Sequence, residues 1–263
     1  MLPTVKDAAQ FGLANTNDYE TFDIDLAGTT LGFNVLKRTM FSKDLGRKYQ
    51  SDLRPYVNTI SKAEFYTIPG SKFGRCQFYE TAWWLFTGKG KKQVNHGFAT
   101  LQSSLITPRR EDYETFPNLF NEEYLKDWLA FYYSDPEAIT QQVTYTNLSN
   151  GWIQIELRDD DNLPQIKPSE VPFQKLPQLI SGMPSYFVYL KPGIIEFNVP
   201  LAKRDVLQLR FQIHYQTDDV AIKEQLNRET LKFAHQVVST VKITLSEREE
   251  KNRLMVNTIR DQS

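Results

Sequence analysis

Cysteine is scarce in this sequence of 263 residues, and its scarcity excludes several kinds of site. The single cysteine, Cys76, cannot form a disulfide within the chain and cannot supply the several thiolates of a structural zinc site. It stands in a strand-like stretch, residues 75–79, where a free cysteine usually acts as a small buried hydrophobic residue. We therefore expect neither a disulfide framework nor a multi-cysteine metal centre.

Long apolar runs and an excess of one charge are also missing. No run of about 18 apolar residues occurs, so we expect no helix that crosses a bilayer. Lysine and arginine number 31 against 32 aspartate and glutamate, without the basic excess of a nucleic-acid-binding protein. Residues 1–7 show no charged segment followed by an apolar one. We expect a cytoplasmic protein, or a periplasmic one if an export signal has been removed from this chain.

The usual motifs of catalytic and metal sites do not occur. Three histidines are present, His96, His214 and His235, and no two have the i, i+4 spacing of a helical metal site. A Gly-x-Ser-x-Gly nucleophile turn is absent. We therefore predict no catalytic residue, although pairs of carboxylates that meet only in three dimensions stay open.

Two loops share some features with ligand sites. Residues 88–92 (Gly-Lys-Gly-Lys-Lys) lack the spacing of a phosphate-binding loop and stand between two strands instead of before a helix. The acidic run 159–162 has the oxygen-rich start of a calcium loop, but Pro164 occupies the position that requires glycine. We interpret both loops as solvated turns and predict no cofactor and no bound metal.

Hydrophobic patterning predicts a chain made mostly of strands. The pattern predicts helices that begin at Ser42, span residues 120–133 with Asn121 as the cap, and begin at Asp218 or Asp219. The predicted strands cover 21–26, 31–35, 76–86, 94–105, 143–146, 152–157, 186–190, 194–201, 206–215 and 241–245. Short turns between them favour an α+β fold of antiparallel β-sheets with packed helices.

Proline density suggests a division of the chain. Five of the 13 prolines fall within residues 159–184, which we interpret as an irregular crossing loop or a linker. We predict an N-terminal α+β subdomain over 1–140, a C-terminal α+β subdomain over 141–245 and a charged tail over 246–263. Residues 32–38 are similar to 196–204, which leaves both a duplicated pair of subdomains in tandem and a chance similarity open.

The order of elements over residues 186–245, three strands, a long helix and a closing strand, resembles the second half of a PsbP-like α/β sandwich. Such sandwiches occur among bacterial envelope lipoproteins and among immunity proteins that neutralise the toxins of contact-dependent secretion systems. The resemblance covers about a quarter of the chain and rests on no diagnostic motif, so it assigns no functional residue. It implies a sandwich fold, and binding in preference to catalysis.

Aromatic residues are the positive signal, at 13% of the chain. The runs 78–79, 83–86 and 186–189 place aromatics on both faces of one strand. Such strands are either covered on both sides or leave aromatic rings exposed, and exposed tryptophan, tyrosine and arginine favour a protein-binding surface. We therefore expect either a doubly covered sheet or a surface for a protein partner.

The leading hypothesis is a non-enzymatic module that binds another protein, with an immunity or inhibitor role towards a toxic bacterial effector. The predicted contact residues lie in a hairpin and in an acidic loop: Trp83, Trp84, Phe86, Lys89, Lys91, Lys92, Arg158, Asp159, Asp160 and Asp161. One alternative is a hydrolase with a site built from groups such as Glu80, Glu156 and His96. Another is a structural subunit that assembles through the tail. The pattern indicates no oligomeric state.

Overall fold

The structure of this chain is a computed structural model, and it describes two long stretches and several short ones. The described residues are 10–11, 19–26, 28–36, 73–87, 94–108, 110–134, 142–147, 153–158, 173–175, 180–191 and 193–260. The helix predicted from Ser42 lies outside them.

Strands alternate with three α-helices along these ranges. The strands are β1 (Gln10–Phe11), β2 (Tyr19–Leu26), β3 (Thr29–Leu36), β4 (Phe73–Thr87), β5 (Val94–Pro108), β6 (Gln142–Asn147), β7 (Ile153–Arg158), β8 (Phe173–Lys175), β9 (Tyr186–Lys191), β10 (Ile194–Pro200), β11 (Val206–Tyr215) and β12 (Lys242–Thr244). The helices are α1 (Glu122–Ser134), α2 (Val220–Ser239) and α3 (Glu247–Arg260), and a 3₁₀ helix spans Arg110–Tyr113.

The larger sheet contains seven of the described strands, in the order β1-β4-β5-β11-β10-β9-β8, and each neighbouring pair is antiparallel. Its central pairing joins β5 to β11, with Leu101 opposite Phe211. The two strands approach most closely at Gly97, where a Cβ would lie 2.0 Å from the carbonyl oxygen of His214. Glycine at this position therefore allows β5 and β11 to pair, and this pairing joins the two halves of the sheet.

Two smaller sheets complete the strand pairing. One has the order β12-β3-β2 and joins a strand near the C-terminal end to the hairpin of β2 and β3. The other is the hairpin of β6 and β7, which pairs with no further strand of the described chain.

One face of the larger sheet is apolar and packs against α2 and the β12-β3-β2 sheet. Asp219 caps α2, accepting a hydrogen bond from the backbone N–H of Ile222 at 3.1 Å. Trp83 of β4 meets Phe233 of α2 edge-on, with ring centroids 4.8 Å apart. Tyr79 packs against Phe22 of the smaller sheet at 4.3 Å. This face supplies most of the buried aromatic core.

The opposite face of the same sheet is covered by α1. Asn121 caps this helix by accepting hydrogen bonds from the backbone N–H groups of Glu123 and Tyr124. The helix buries one side against the sheet: Leu125, Trp128, Leu129, Tyr132 and Tyr133. Strand β10 is consequently buried along its whole length, on both faces.

The fold class predicted from the sequence, α+β with antiparallel sheets and packed helices, is confirmed. For the aromatic run 186–189 the double-cover prediction is also confirmed, because Tyr186 and Phe187 are buried on opposite faces of β9. The larger sheet and the β12-β3-β2 sheet each combine strands from both sides of the predicted boundary at residue 140. In the first β5 pairs with β11, and in the second β3 pairs with β12. The tandem arrangement and the boundary themselves stay predictions.

The predicted tail forms helix α3 over most of its length. Val256 is buried in the main core, and the Glu249 carboxylate accepts a hydrogen bond from the backbone N–H of Lys203 at 2.7 Å. The helix is therefore attached to the turn between β10 and β11. None of the described helices combines the length and the apolar composition needed to cross a membrane.

Candidate functional site

A cluster of polar side chains lies between helix α1 and the larger sheet. It consists of Tyr133 from the last turn of α1, Glu196 and Asn198 from β10, and Gln208 and Arg210 from β11. All five residues are buried. Strand pairing sets their positions, because Glu196 lies opposite Arg210 and Asn198 lies opposite Gln208. We call these five residues the polar cluster.

Glu196 is the centre of the polar cluster. Its Oε2 accepts hydrogen bonds from the Tyr133 hydroxyl at 2.5 Å and from Gln208 Nε2 at 3.0 Å. Its Oε1 accepts a charge-assisted hydrogen bond from Arg210 Nε. Three donors thus satisfy a carboxylate that would be very costly to bury alone.

The Tyr133 hydroxyl joins the two strands to the helix. It donates to Glu196 and accepts from Asn198 Nδ2 at 2.9 Å and from Gln208 Nε2 at 3.2 Å. Burial raises the pKa of Tyr133 well above its ordinary value, and the neighbouring Glu196 carboxylate raises it further. The phenol therefore remains protonated at neutral pH and serves as a fixed donor.

Arg210 carries the balancing charge. Burial opposes its positive charge, but the Glu196 carboxylate more than offsets this effect, and the pKa of Arg210 is raised. The pair is therefore a buried ion pair of zero net charge. Both carboxylate oxygens of Glu196 are already occupied by donors from within the polar cluster.

Two atoms of the polar cluster have no hydrogen-bond partner in the described structure. They are Nη2 of Arg210, a donor, and Oε1 of Gln208, an acceptor, and both are buried. Buried polar atoms are nearly always satisfied in native proteins, so two such atoms on neighbouring side chains are notable. The polar cluster can therefore donate one further hydrogen bond, from Arg210 Nη2, and accept one, at Gln208 Oε1.

The sequence missed this cluster because strand alternation alone placed its β11 members on a polar face. The residues Gln208, Arg210, Gln212 and His214 alternate with apolar ones, as in a strand with one solvated side. In the structure, however, Gln208 and Arg210 are buried, because α1 covers them. An available signal was the wide apolar stripe of α1, which requires a sheet face beneath it.

Trp83, one of the predicted partner contacts, is buried in the apolar core with 1% of its surface exposed. It packs edge-on against Phe233, so its indole ring has almost no exposed surface. Trp84 and Phe86 occupy β4 opposite Phe98 and Asn95. Their side chains lie outside the described part of the structure.

Of the remaining predicted contacts, Arg158 is the one that lies within the described residues. Lys89, Lys91, Lys92, Asp159, Asp160 and Asp161 lie outside the described residues. Arg158 is the last residue of β7 and pairs with Gln142 of β6. The β6–β7 hairpin therefore leads directly into the acidic run, and the predicted contacts there stay predictions.

Two of the groups suggested for a hydrolase site, Glu80 and His96, are not brought together by the backbone. Glu80 pairs with Gln102 on β5, six residues from His96, which corresponds to about 20 Å along the strand. Glu156 belongs to the separate β6–β7 sheet, opposite Thr144. The backbone therefore places Glu80 and His96 far apart on the same pair of strands.

The other two histidines occupy packed positions. His214 stacks on Phe98 with ring centroids 4.4 Å apart, and burial lowers its pKa. His235 lies 5.3 Å from the ring of Phe197, and burial lowers its pKa as well. Within the described ranges, no group of three or more histidine, cysteine, aspartate or glutamate side chains is arranged to hold a metal ion.

Comparisons with protein-family models, curated proteins and solved structures give no match for this chain. The resemblance to PsbP-like sandwiches therefore stays a prediction from element order.

Proposed function

We propose that this chain is a non-enzymatic protein-binding module, and that its partner is a toxic effector of a bacterial secretion system, which it neutralises. The observation that carries the proposal is the β6–β7 hairpin. It forms a two-stranded sheet of its own, which shares no strand pairing with the other described sheets, and its last residue, Arg158, directly precedes the acidic run 159–161.

The register of the hairpin supports a docking role. Val143 pairs with Leu157 and Tyr145 pairs with Ile155, whereas Thr144 pairs with Glu156 between them. Alternate pairs of an antiparallel hairpin share a face, so one face is apolar and the other polar. A lone two-stranded sheet is at best marginally stable in water, and packing against another surface stabilises it.

The state of the polar cluster favours binding over hydrolysis. Glu196 is neutralised by Arg210, and the Tyr133 phenol is held protonated by burial. General acid–base catalysis needs a group that exchanges protons near the working pH. The Tyr133 phenol does not exchange protons in that range, which favours binding over acid–base catalysis at the polar cluster.

The proposal is tested by co-expression with the effector encoded beside the gene for this chain. Wild-type protein should suppress the toxicity of that effector and form a complex with it that weakens as salt is added. Failure to bind or to suppress toxicity contradicts the immunity role. Recovery from the native host with no protein partner, even at low salt, contradicts protein binding altogether.

Charge reversal locates the contact. Asp160→Lys should weaken the complex by at least about tenfold, because an acidic rim contact becomes repulsive to a basic partner surface. Asp127→Lys, an equal change of charge on the exposed side of α1, is the matched control and should leave affinity within about twofold. Equal loss in both variants argues against a contact through the acidic run.

A further inference from the structure

We infer that the polar cluster is a recognition site for an uncharged amide group, in which Arg210 Nη2 donates to the amide carbonyl and Gln208 Oε1 accepts from the amide N–H. The amide can belong to a small molecule or to a peptide. This site is separate from the β6–β7 hairpin and does not depend on the proposed function.

The first argument is the set of free hydrogen-bonding atoms. Among the residues that the structure describes, Nη2 of Arg210 and Oε1 of Gln208 are buried and have no hydrogen-bond partner, and leaving such atoms unsatisfied is unfavourable. A ligand that satisfies both must offer one acceptor and one donor. An amide group carries both, on the oxygen and the nitrogen that are bonded to its carbonyl carbon.

The second argument is charge. Arg210 is already paired with Glu196, so the polar cluster has no net charge to attract an anion. An added carboxylate would meet the Glu196 carboxylate across Arg210 and would be repelled, in a buried setting where such repulsion is strong. An uncharged ligand avoids this cost.

The third argument is that both free atoms belong to groups held by one carboxylate. Gln208 Nε2 and Arg210 Nε both donate to Glu196, and the two residues are two apart on β11, so they share a sheet face. Their orientations are therefore fixed together before any ligand binds. Such preorganisation lowers the entropic cost of recognition.

The fourth argument is access. Gln102 lies directly opposite Arg210 and is only half-buried, and Gln212, the next residue on the same face of β11, is half-buried too. Beyond them Phe98 and His214 form a stacked, half-buried pair. Beside Arg210 this face of the sheet is therefore only partly covered. A ligand has a route to the polar cluster along these polar and aromatic side chains.

The test titrates wild-type protein, labelled with ¹⁵N in arginine and glutamine side chains, with three probes of similar size. Acetamide represents a primary amide, N-methylacetamide represents a peptide group, and acetate represents an anion. We expect saturable shifts of the Arg210 and Gln208 side-chain signals with an amide and none with acetate. The better of the two amides identifies a side-chain or small-molecule source against a peptide backbone.

Arg210→Lys sharpens the result, because lysine keeps a positive charge near Glu196 but lacks Nη2. The shifts of the Gln208 signals should then fall at least fivefold, whereas Arg204→Lys, the same change at an exposed arginine, should leave them unchanged. If Arg210→Lys fails to fold, the wild-type comparison of amide with acetate still decides. Binding of acetate as tight as that of the amides overturns the proposal, and so does a wild-type protein that responds to no probe.

Discussion

The two faces of the larger sheet are built on different principles. On the face under α2, buried aromatic and aliphatic residues such as Phe197 and Phe211 fill the core. On the face under α1, the neighbouring residues on the same two strands, Glu196 and Arg210, form a buried ion pair. Apolar packing is strong but tolerant of small displacements, whereas hydrogen bonds demand defined positions. The first face therefore supplies most of the stability, and the second fixes where α1 docks.

Truncation of the apolar face should have a large effect. Trp83→Ala removes a fully buried indole that packs on Phe233, and we expect the free energy of unfolding to fall by about 3–5 kcal/mol. Urea denaturation monitored by circular dichroism measures this change. Trp83→Phe, which keeps an aromatic ring, should lose distinctly less, and equal losses would contradict the packing role.

Breaking the ion pair should cost about as much, but for a different reason. Arg210→Met leaves the Glu196 carboxylate buried without its charge partner, and we expect a loss of about 3–5 kcal/mol. The double variant Arg210→Met with Glu196→Leu should recover most of that loss, because no buried charge remains. A double variant as unstable as the single one would show that the pair itself, and not the orphaned charge, stabilises the fold.

Removing the helix-borne hydroxyl should have an intermediate effect. Tyr133→Phe deletes one donor to Glu196 and an acceptor for Asn198, and we expect a loss of about 1–3 kcal/mol. Hydrogen exchange should show the loss concentrated in α1, because this hydroxyl joins the helix to β10. Uniform loss of protection across both faces would mean that Tyr133 does not act as a local tether.

The smallest effect should come from His214. Burial lowers its pKa, so below the ordinary value of about 6.5 the unfolded chain binds more protons at this residue than the folded chain does. Stability should therefore fall as the pH drops from about 7 to 5, by less than about 1 kcal/mol, because partial exposure screens the charge. His214→Gln should reduce this dependence, and an unchanged pH profile would assign it to other groups.

The local sequence pattern predicted the strands and helices on both faces of the larger sheet. It predicted which side chains are buried only for the face under α2. Leu207, Leu209 and Phe211 alternate as in a strand with one buried face, and they lie in the core under α2. Of the two positions predicted to begin the long helix, Asp218 and Asp219, the structure uses Asp219 as the cap. Helix caps and hairpins depend on residues close in sequence, so short windows contain the necessary information.

The polar cluster depends on contacts that no short window contains. Tyr133 meets Glu196 across a sequence separation of 63 residues, and it meets Gln208 across 75. A glutamate and an arginine on strands look solvated until something is known to cover them, and that cover is set by the path of the whole chain. Trp83 shows the converse, because an aromatic near a hairpin suggested a surface but proved to be core.

The β12-β3-β2 sheet has a consequence for how this protein is made. The backbone N–H of Asn34 donates to the hydroxyl of Thr240, and the backbone N–H of Ser246 donates to that of Thr29, across separations of 206 and 217 residues. At a synthesis rate of roughly 5–20 residues per second, the early hairpin waits about 10–40 s on the ribosome before its last neighbouring strand is translated. During that interval β3 has an open edge, and a chaperone bound to the nascent chain would protect that edge from pairing with another chain.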